Sequence, residues 1–128
     1  MPTYLHAFSG VSVDNLQKAR EFYVDTLHLI LKTEEMGLTF DLPGGGSFFI
    51  YEKPDHQAAS YTVLNLVVSN IDDTVHELVD SGVVMHRYEN LPAEQDELGV
   101  LRGKDAGYGP NIAWLLDPAG NSVAIIED

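Results

Sequence analysis

The chain has no cysteine among its 128 residues, which excludes disulfides, thiolate nucleophiles and cysteine metal sites. Basic residues are also scarce: the chain has 7 Lys and Arg but 20 Asp and Glu, which gives a formal net charge of −13. This charge argues against nucleic acid or an anionic membrane as a partner. The excess of carboxylates either serves solubility alone or attracts a cationic ligand.

Long apolar runs are absent as well. No stretch approaches the roughly 20 apolar residues that a membrane span needs. The first ten residues lack the basic end and the long apolar run of a signal peptide. We therefore expect a cytoplasmic protein with no membrane partner. A hydrophobic content of 45% over 128 residues suits one compact domain with an adequate core.

What the chain does contain is an internal repeat. Two apolar runs in Trp114–Glu127 flank Asp-Pro-Ala-Gly-Asn, which predicts two strands joined by a tight turn. Shifted back by 75 positions (118 − 43), this stretch falls on Thr39–Glu52, so that Pro118 matches Pro43. The end of the chain therefore has a counterpart in its first half.

Both halves predict the element order β-α-β-β-β. The first helix is expected to follow Asp14 as N-cap and to run to about His28. The second is expected to follow Ser69 as N-cap and to stop at Gly82. The modules are predicted over 1–53 and 61–128, with a linker over 54–60. The other predicted strands are Ser9–Val13, Leu29–Lys32, Leu38–Leu42, Ser47–Lys53, Thr62–Val68 and Val83–Tyr88.

The second half has a long insertion. The repeat offset is 55 (70 − 15) at the first helix and 75 at the end, so 20 (75 − 55) extra residues lie between. They fall in Glu89–Asn111, which is rich in Gly, Asp and Glu. Loops of this length are often functional. We predict a mobile lid over the second half of a cleft; the competing interpretation is a solvated acidic loop without a role.

The double βαβββ order, Phe22-Tyr23 and the run Ala113–Asn121 together resemble the vicinal-oxygen-chelate superfamily. This is the group of glyoxalases, bleomycin-resistance proteins and extradiol dioxygenases. Tyr51–His56 and Asp96–Gly99 are similar to stretches of a branch of small bacterial proteins within it. The resemblance implies an α+β fold in which two tandem βαβββ modules form curved mixed sheets around a cleft. It also implies a homodimer.

Metal-dependent members of this superfamily hold one divalent ion with His, Gln or Glu on the first and last strands of each half. The matching positions here are apolar: Phe8, Phe49, Val63 and Ala124. None of them offers a ligand atom to a cation. The 5 histidines show no ligand spacing on a common element. We therefore expect no metal and no cofactor.

The resemblance and the strand alternation together predict a cleft that is mainly aromatic and apolar, with a few polar groups. Such a composition is typical of a small-molecule pocket, although the same rings could instead fill a closed core. One function is the metal-free binding of a planar or cationic organic molecule. The other is a lyase, isomerase or dioxygenase-like enzyme using His56, Tyr51 or loop carboxylates, with or without an unrecognised metal site. The candidate ligand-binding residues are Phe8, Phe49, Tyr51, His56, Asn65, Trp114, Asp96 and Arg102.

Overall fold

The structure is a computed structural model that describes all residues from Met1 to Asp128. The chain divides into two compact units, Met1–Ala58 and Ala59–Asp128. The elements of the first unit are β1 (Ser9–Val13), α1 (Leu16–Arg20), a π-helical segment (Glu21–Thr26), β2 (Ile30–Thr33), β3 (Leu38–Asp41) and β4 (Ser47–Glu52). Its sheet has the strand order β1-β4-β3-β2, in which β1 runs parallel to β4 and the other pairs are antiparallel.

The core of the first unit lies between this sheet and its helical segment. Tyr23 projects from the helical side, and its ring lies 5.9 Å from Phe40 and 6.1 Å from Phe48 between centroids. All three side chains are fully buried. Each contributes roughly 1.5–3 kcal/mol by leaving water. Because side chains alternate along a strand, burial of Phe48 and Ile50 turns Phe49 and Tyr51 to the opposite face.

One glycine is required where β3 begins. Gly37 has a φ of +146°, and a Cβ there would lie 2.9 Å from the Phe49 ring. It would also meet the carbonyl oxygen of Ile50. Only a residue without a side chain lets the backbone approach β4 this closely.

The second unit repeats the plan with an addition. Its helix is amphipathic, because Ile71, Val75 and Leu78 recur at helical spacing and are all buried. The sheet has the order β5-β8-β7-β6, again with one parallel pair, β5 and β8. The elements are β5 (Thr62–Val68), α2 (Ile71–Asp80), β6 (Val100–Arg102), α3 (Gly103–Ala106), β7 (Asn111–Leu116) and β8 (Ser122–Glu127).

The α+β class and the tandem βαβββ order are confirmed, and neither sheet closes on itself. No helix has the length and apolar character needed to cross a membrane. The N-caps are each one residue later than predicted. Asn15 and Asn70, not Asp14 and Ser69, accept the hydrogen bonds that cap the helices. Both predicted sites lie beside another residue with a capping side chain, and sequence alone does not separate such neighbours.

The strand predicted over Val83–Tyr88 is wrong. This stretch makes only a single bridge, between His86 and Trp114. β7 pairs with β8 on one side and with β6 on the other, and β6 lies inside the segment predicted to be a mobile lid. Val100 and Leu101 of β6 are buried, at 0% and 6% exposure. The insertion therefore contributes a strand to the sheet and a helical turn, so the prediction of a lid running from Glu89 to Asn111 is wrong for this part of it.

Candidate functional site

Aromatic side chains cover the face of the first sheet that points away from the helix. Phe8 precedes β1, and its ring makes an edge contact with Phe49 of β4 at 6.2 Å between centroids. Phe49 in turn stacks on Tyr51 at 5.9 Å with an interplanar angle of 18°. We call the surface formed by Phe8, Gly10, Ser12, Phe49 and Tyr51 the aromatic face. Three of the predicted site residues thus lie side by side.

The aromatic face is not packed shut. Phe8 keeps 58% of its surface exposed and Tyr51 keeps 38%, while Phe49 is half-buried. The alternative of a closed core therefore does not hold for Phe8 and Tyr51. Exposed rings in mutual contact leave apolar surface available to a further flat group.

A polar pair borders the aromatic face. Ser12 Oγ lies 2.7 Å from His56 Nδ1, and both side chains are half-buried. Ser12 is the strand partner of Tyr51. His56 returns to this position through a tight turn, closed by its N–H donating to the carbonyl of Lys53 at 3.1 Å. The Pro-Asp sequence at 54–55 favours such a turn. The sequence predicts His56 as a site residue but does not predict its contact with Ser12, because that contact spans 44 positions.

The second unit has its own aromatic group. Tyr88 makes edge contacts with His86 at 4.6 Å and with Trp114 at 5.3 Å between ring centroids. The Tyr88 hydroxyl lies 2.6 Å from Ser122 Oγ. We call His86, Tyr88, Trp114 and Ser122 the Trp114 cluster. Trp114 is the only one of these four that the sequence predicts as a site residue. Its partners Tyr88 and His86 lie in the stretch predicted as a strand, which forms only a single bridge.

Asn65 lies on the same face of the second sheet as Trp114. Asn65 is the strand partner of Ala124, and Ala124 is the partner of Trp114 on its other side. The Asn65 side chain is exposed, whereas Trp114 is half-buried and Ala124 is buried. Asn65 and Trp114, both predicted site residues, are therefore brought to one face of the second sheet.

Asp96 and Arg102 lie elsewhere. Arg102 is the strand partner of Asn111, whose side chain is buried on the helix side of the second sheet. The Arg102 guanidinium binds Asp96 at 2.8 Å and also binds Asp72 of α2. Asp96 and Arg102, predicted to bind a ligand, are therefore not brought to the face that carries Trp114. They form an ion-pair network on the helix side.

The charged groups of this network bind one another and have a structural role in the second unit. Burial raises the pKa of Asp96, but hydrogen bonds from the Val100 and Leu98 N–H groups and from Arg102 outweigh it, so the pKa is lowered overall. The hydrogen bond to Asp72 raises the pKa of Arg102 above its ordinary value. Asp96 therefore stays charged, and its oxygens already accept bonds from within the second unit.

The positions predicted to match the superfamily's metal ligands carry no suitable atoms. Phe8 and Phe49 present rings, and Val63 and Ala124 present aliphatic groups. No group of three or more His, Asp or Glu residues is arranged to hold a metal ion. The residues present therefore do not fit a bound cation at these positions.

No protein-family model and no curated protein matches the chain, but solved structures do. A member of the glyoxalase/bleomycin resistance protein/dioxygenase superfamily from Sphaerobacter thermophilus DSM 20745 has a TM-score of 0.69 at 22% identity, covering 98% of both chains. An antibiotic binding protein from Streptomyces sp. CB03234 has a TM-score of 0.69 at 21% identity, covering 99% of this chain and 98% of that one. A lactoylglutathione lyase from Agrobacterium tumefaciens has a TM-score of 0.65 at 17% identity, covering 98% of this chain and 96% of that one.

The resemblance to the vicinal-oxygen-chelate superfamily is thus confirmed at the level of the fold. Identities this low show the fold alone, and proteins of this fold have different descriptions, among them an antibiotic binding protein and a lactoylglutathione lyase.

Proposed function

We propose that this chain, which has the fold of the glyoxalase/bleomycin resistance/dioxygenase superfamily, is a binding protein for a planar or cationic organic molecule and uses no metal. The observation that carries the proposal is the aromatic face. Its rings at Phe8, Phe49 and Tyr51 are in contact with one another, yet two of them remain substantially exposed to water. A flat ligand lying on them removes this apolar surface from water.

The energetics favour aromatic ligands. Each ring–ring contact adds about 0.5–1.5 kcal/mol beyond the burial of area. A cation gains further from lying over a ring face. The formal net charge of −13 favours the approach of cations over anions. The polar groups of Ser12 and His56 at the border are few, as expected where apolar walls supply affinity and polar groups fix orientation.

Among proteins of the same fold, the one from Streptomyces is described as an antibiotic binding protein. This supports the proposal to the extent that the fold is compatible with holding an organic molecule without any stated reaction. The identity of the ligand does not carry over at 21% identity.

The test is a titration with acridine and 9-aminoacridine, a planar neutral molecule and a planar cation, followed by ¹H–¹⁵N amide shifts. We expect shifts at the amides of β1 and β4, and weaker binding by Tyr51→Ala. Tyr61→Ala is the matched control, because Tyr61 is 70% exposed but belongs to the second unit. If neither compound shifts these amides, or if both variants bind as the wild type does, the proposal is wrong.

The absence of metal in function needs its own measurement. Elemental analysis of the dialysed protein should find no stoichiometric zinc, nickel, manganese or iron. Adding any of these ions should leave the melting temperature unchanged. One equivalent of a metal per chain would overturn this part of the proposal.

An enzyme remains the second candidate, and one observation favours it. The Ser12–His56 contact at 2.7 Å joins a hydroxyl to an imidazole, a pair able to transfer a proton to or from a bound molecule. Asp96, one of the loop carboxylates considered as a catalytic group, is instead held in its ion pair with Arg102. If the acridines are chemically altered over hours in the presence of the wild type but not of His56→Gln, the protein is an enzyme.

A further inference from the structure

The rings of the aromatic face lie in two planes that meet at nearly a right angle. Phe49 and Tyr51 are almost parallel, with 18° between their planes, whereas Phe8 and Phe49 are inclined at 77° to each other. A flat molecule can lie parallel to only one of two such planes. A compact, nearly spherical group placed in the angle between them can touch a face of both rings.

The spacing of Phe8 and Phe49 suits a single cation placed between them. Their centroids are 6.2 Å apart, so that one positive charge can lie within about 6 Å of both, the range over which a ring face attracts it. Gly10, the strand partner of Phe49, follows Phe8 by two positions and projects no side chain into this angle. Phe8 is exposed and Phe49 is half-buried, so both rings have surface to offer.

The charges of the first unit favour a cation. Met1–Ala58 contains 4 Lys and Arg and 8 Asp and Glu, which gives a net charge of −4 (4 − 8). Three of the four basic side chains already pair with carboxylates, in Arg20–Glu34, Lys32–Asp41 and Lys53–Asp55. The fourth, Lys18, lies on α1, on the other side of the sheet from the aromatic face. The unit therefore attracts a positive group more than it repels one.

We infer that the aromatic face binds the alkylated ammonium group of a small organic cation between Phe8 and Phe49. This inference rests on the proposed function and commits it to one ligand class, a compact cation instead of a flat neutral ring. The negative faces of the rings attract the ammonium charge, and its alkyl substituents remove apolar surface of the rings from water. A bare ammonium is strongly hydrated, so alkyl substituents lower the cost of moving the charge onto the rings.

The experiment compares choline with 3,3-dimethyl-1-butanol, which has the same shape but carries carbon in place of nitrogen and has no charge. Affinities come from ¹H–¹⁵N amide shifts of β1 and β4 at pH 8, where an ordinary imidazole is uncharged. Sodium chloride keeps the ionic strength constant, so that general attraction of cations to an acidic protein does not change. Two ring faces should make choline bind at least about fivefold more tightly. Apolar binding alone gives the reverse order, because the neutral compound is more hydrophobic.

Phe8→Leu keeps an apolar side chain but removes one ring face. It should weaken choline about twofold to fivefold and leave 3,3-dimethyl-1-butanol unchanged. Tyr4→Leu is the matched control, because it removes a ring of the same segment that is 82% exposed and lies outside the aromatic face. Phosphocholine carries the same ammonium group beside a phosphate and should bind more weakly than choline. Equal or tighter binding of phosphocholine would overturn the assignment to a free cation and favour a phosphorylated headgroup.

Two further results would overturn the inference alone. One is equal affinity for choline and 3,3-dimethyl-1-butanol, and the other is an equal effect of Phe8→Leu and Tyr4→Leu on choline binding. In both cases, shifts of the same amides by the acridines would leave the proposed function standing. If neither choline nor the acridines shift the amides of β1 and β4, the proposed function fails as well.

Discussion

The carboxylate of Glu127 accepts a hydrogen bond from the backbone N–H of Ile71, the first residue of α2, at 3.0 Å. The first N–H groups of a helix have no partner inside it, and here the last strand of the unit provides one. Glu52 at the end of β4 does the same for Leu16 at 3.1 Å. In each module, therefore, a glutamate at the end of the final strand accepts a hydrogen bond from the first residue of the helix.

The hydrogen bond between Glu127 and Ile71 makes the second unit sensitive to acid. The hydrogen bond from Ile71 lowers the pKa of Glu127 below its ordinary value of 4.5; burial opposes this, and Asn111 and Lys104 reinforce it. A carboxyl group with a lowered pKa stabilises the fold above its unfolded pKa, and this stability is lost as the pH falls through the folded pKa. We expect Glu127→Gln to be less stable than the wild type at neutral pH and to lose less stability on acidification. Urea unfolding at neutral pH and below pH 4.5 measures both.

The control for this prediction is Glu94→Gln, which removes an exposed carboxylate of the same unit. It should keep the pH dependence of the wild type. Parallel stability curves for the wild type and Glu127→Gln across the acid range would show that the hydrogen bond does not contribute.

The Trp114 cluster provides a second prediction. Tyr88→Phe keeps the ring contacts but leaves the Ser122 hydroxyl, only 2% exposed, without its bond at 2.6 Å. We expect a loss of about 1 kcal/mol in the free energy of unfolding. Ser122→Ala in the Tyr88→Phe background should then cost little more, because no buried hydroxyl remains. Additive losses in the double variant would argue against a direct interaction.

Much of the fold follows from periodicity in the sequence. Strands such as Ser9–Val13 and Thr62–Val68 have the predicted bounds, because alternation and turn residues reflect burial directly. β6 escaped prediction because only three residues form it. The Gln95 side chain donates to the carbonyl of Gly99, and the Asp96 side chain accepts from the N–H of Val100; such hydrogen bonds leave no periodic signal in the sequence.

The candidate site divides in the same way. Alternation correctly turned Phe49 and Tyr51 away from the core, since their neighbours on the strand are apolar and buried. The contact of Ser12 with His56 and the placement of Arg102 on the helix side could not be read from the sequence. Both depend on which strands become neighbours and on where a loop returns.

The Arg102 network gives a third prediction. Arg102→Met keeps an apolar stem but removes the guanidinium that joins Asp96 to Asp72. We expect a loss of up to about 1 kcal/mol, because these groups are only partly buried. The amides of Leu98 and Val100, which donate to Asp96, should exchange faster with solvent than in the wild type.

The control is Arg20→Met, which removes an ion pair with Glu34 in the other unit and should not change exchange at Leu98 or Val100. Wild-type exchange at Val100 also separates two interpretations of the insertion. A strand residue buried in the sheet is protected, whereas a mobile lid is not. Fast exchange at Val100 in the wild type would instead support the interpretation of the insertion as a mobile lid.

The last prediction concerns self-association. Tyr4 and Leu5 near the N-terminus keep 82% and 94% of their surface exposed, which is unusual for large apolar side chains close together. A second copy is the partner we expect, since homodimers with two-fold symmetry are the most common assemblies. Light scattering should give twice the chain mass of 14.1 kDa. Replacing both residues by Ser should shift the mass toward that of one chain, while Val84→Ser, at a site 86% exposed, should not. A wild type that stays at the mass of one chain at micromolar concentration would rule out the homodimer, and equal effects of the two changes would place the interface elsewhere.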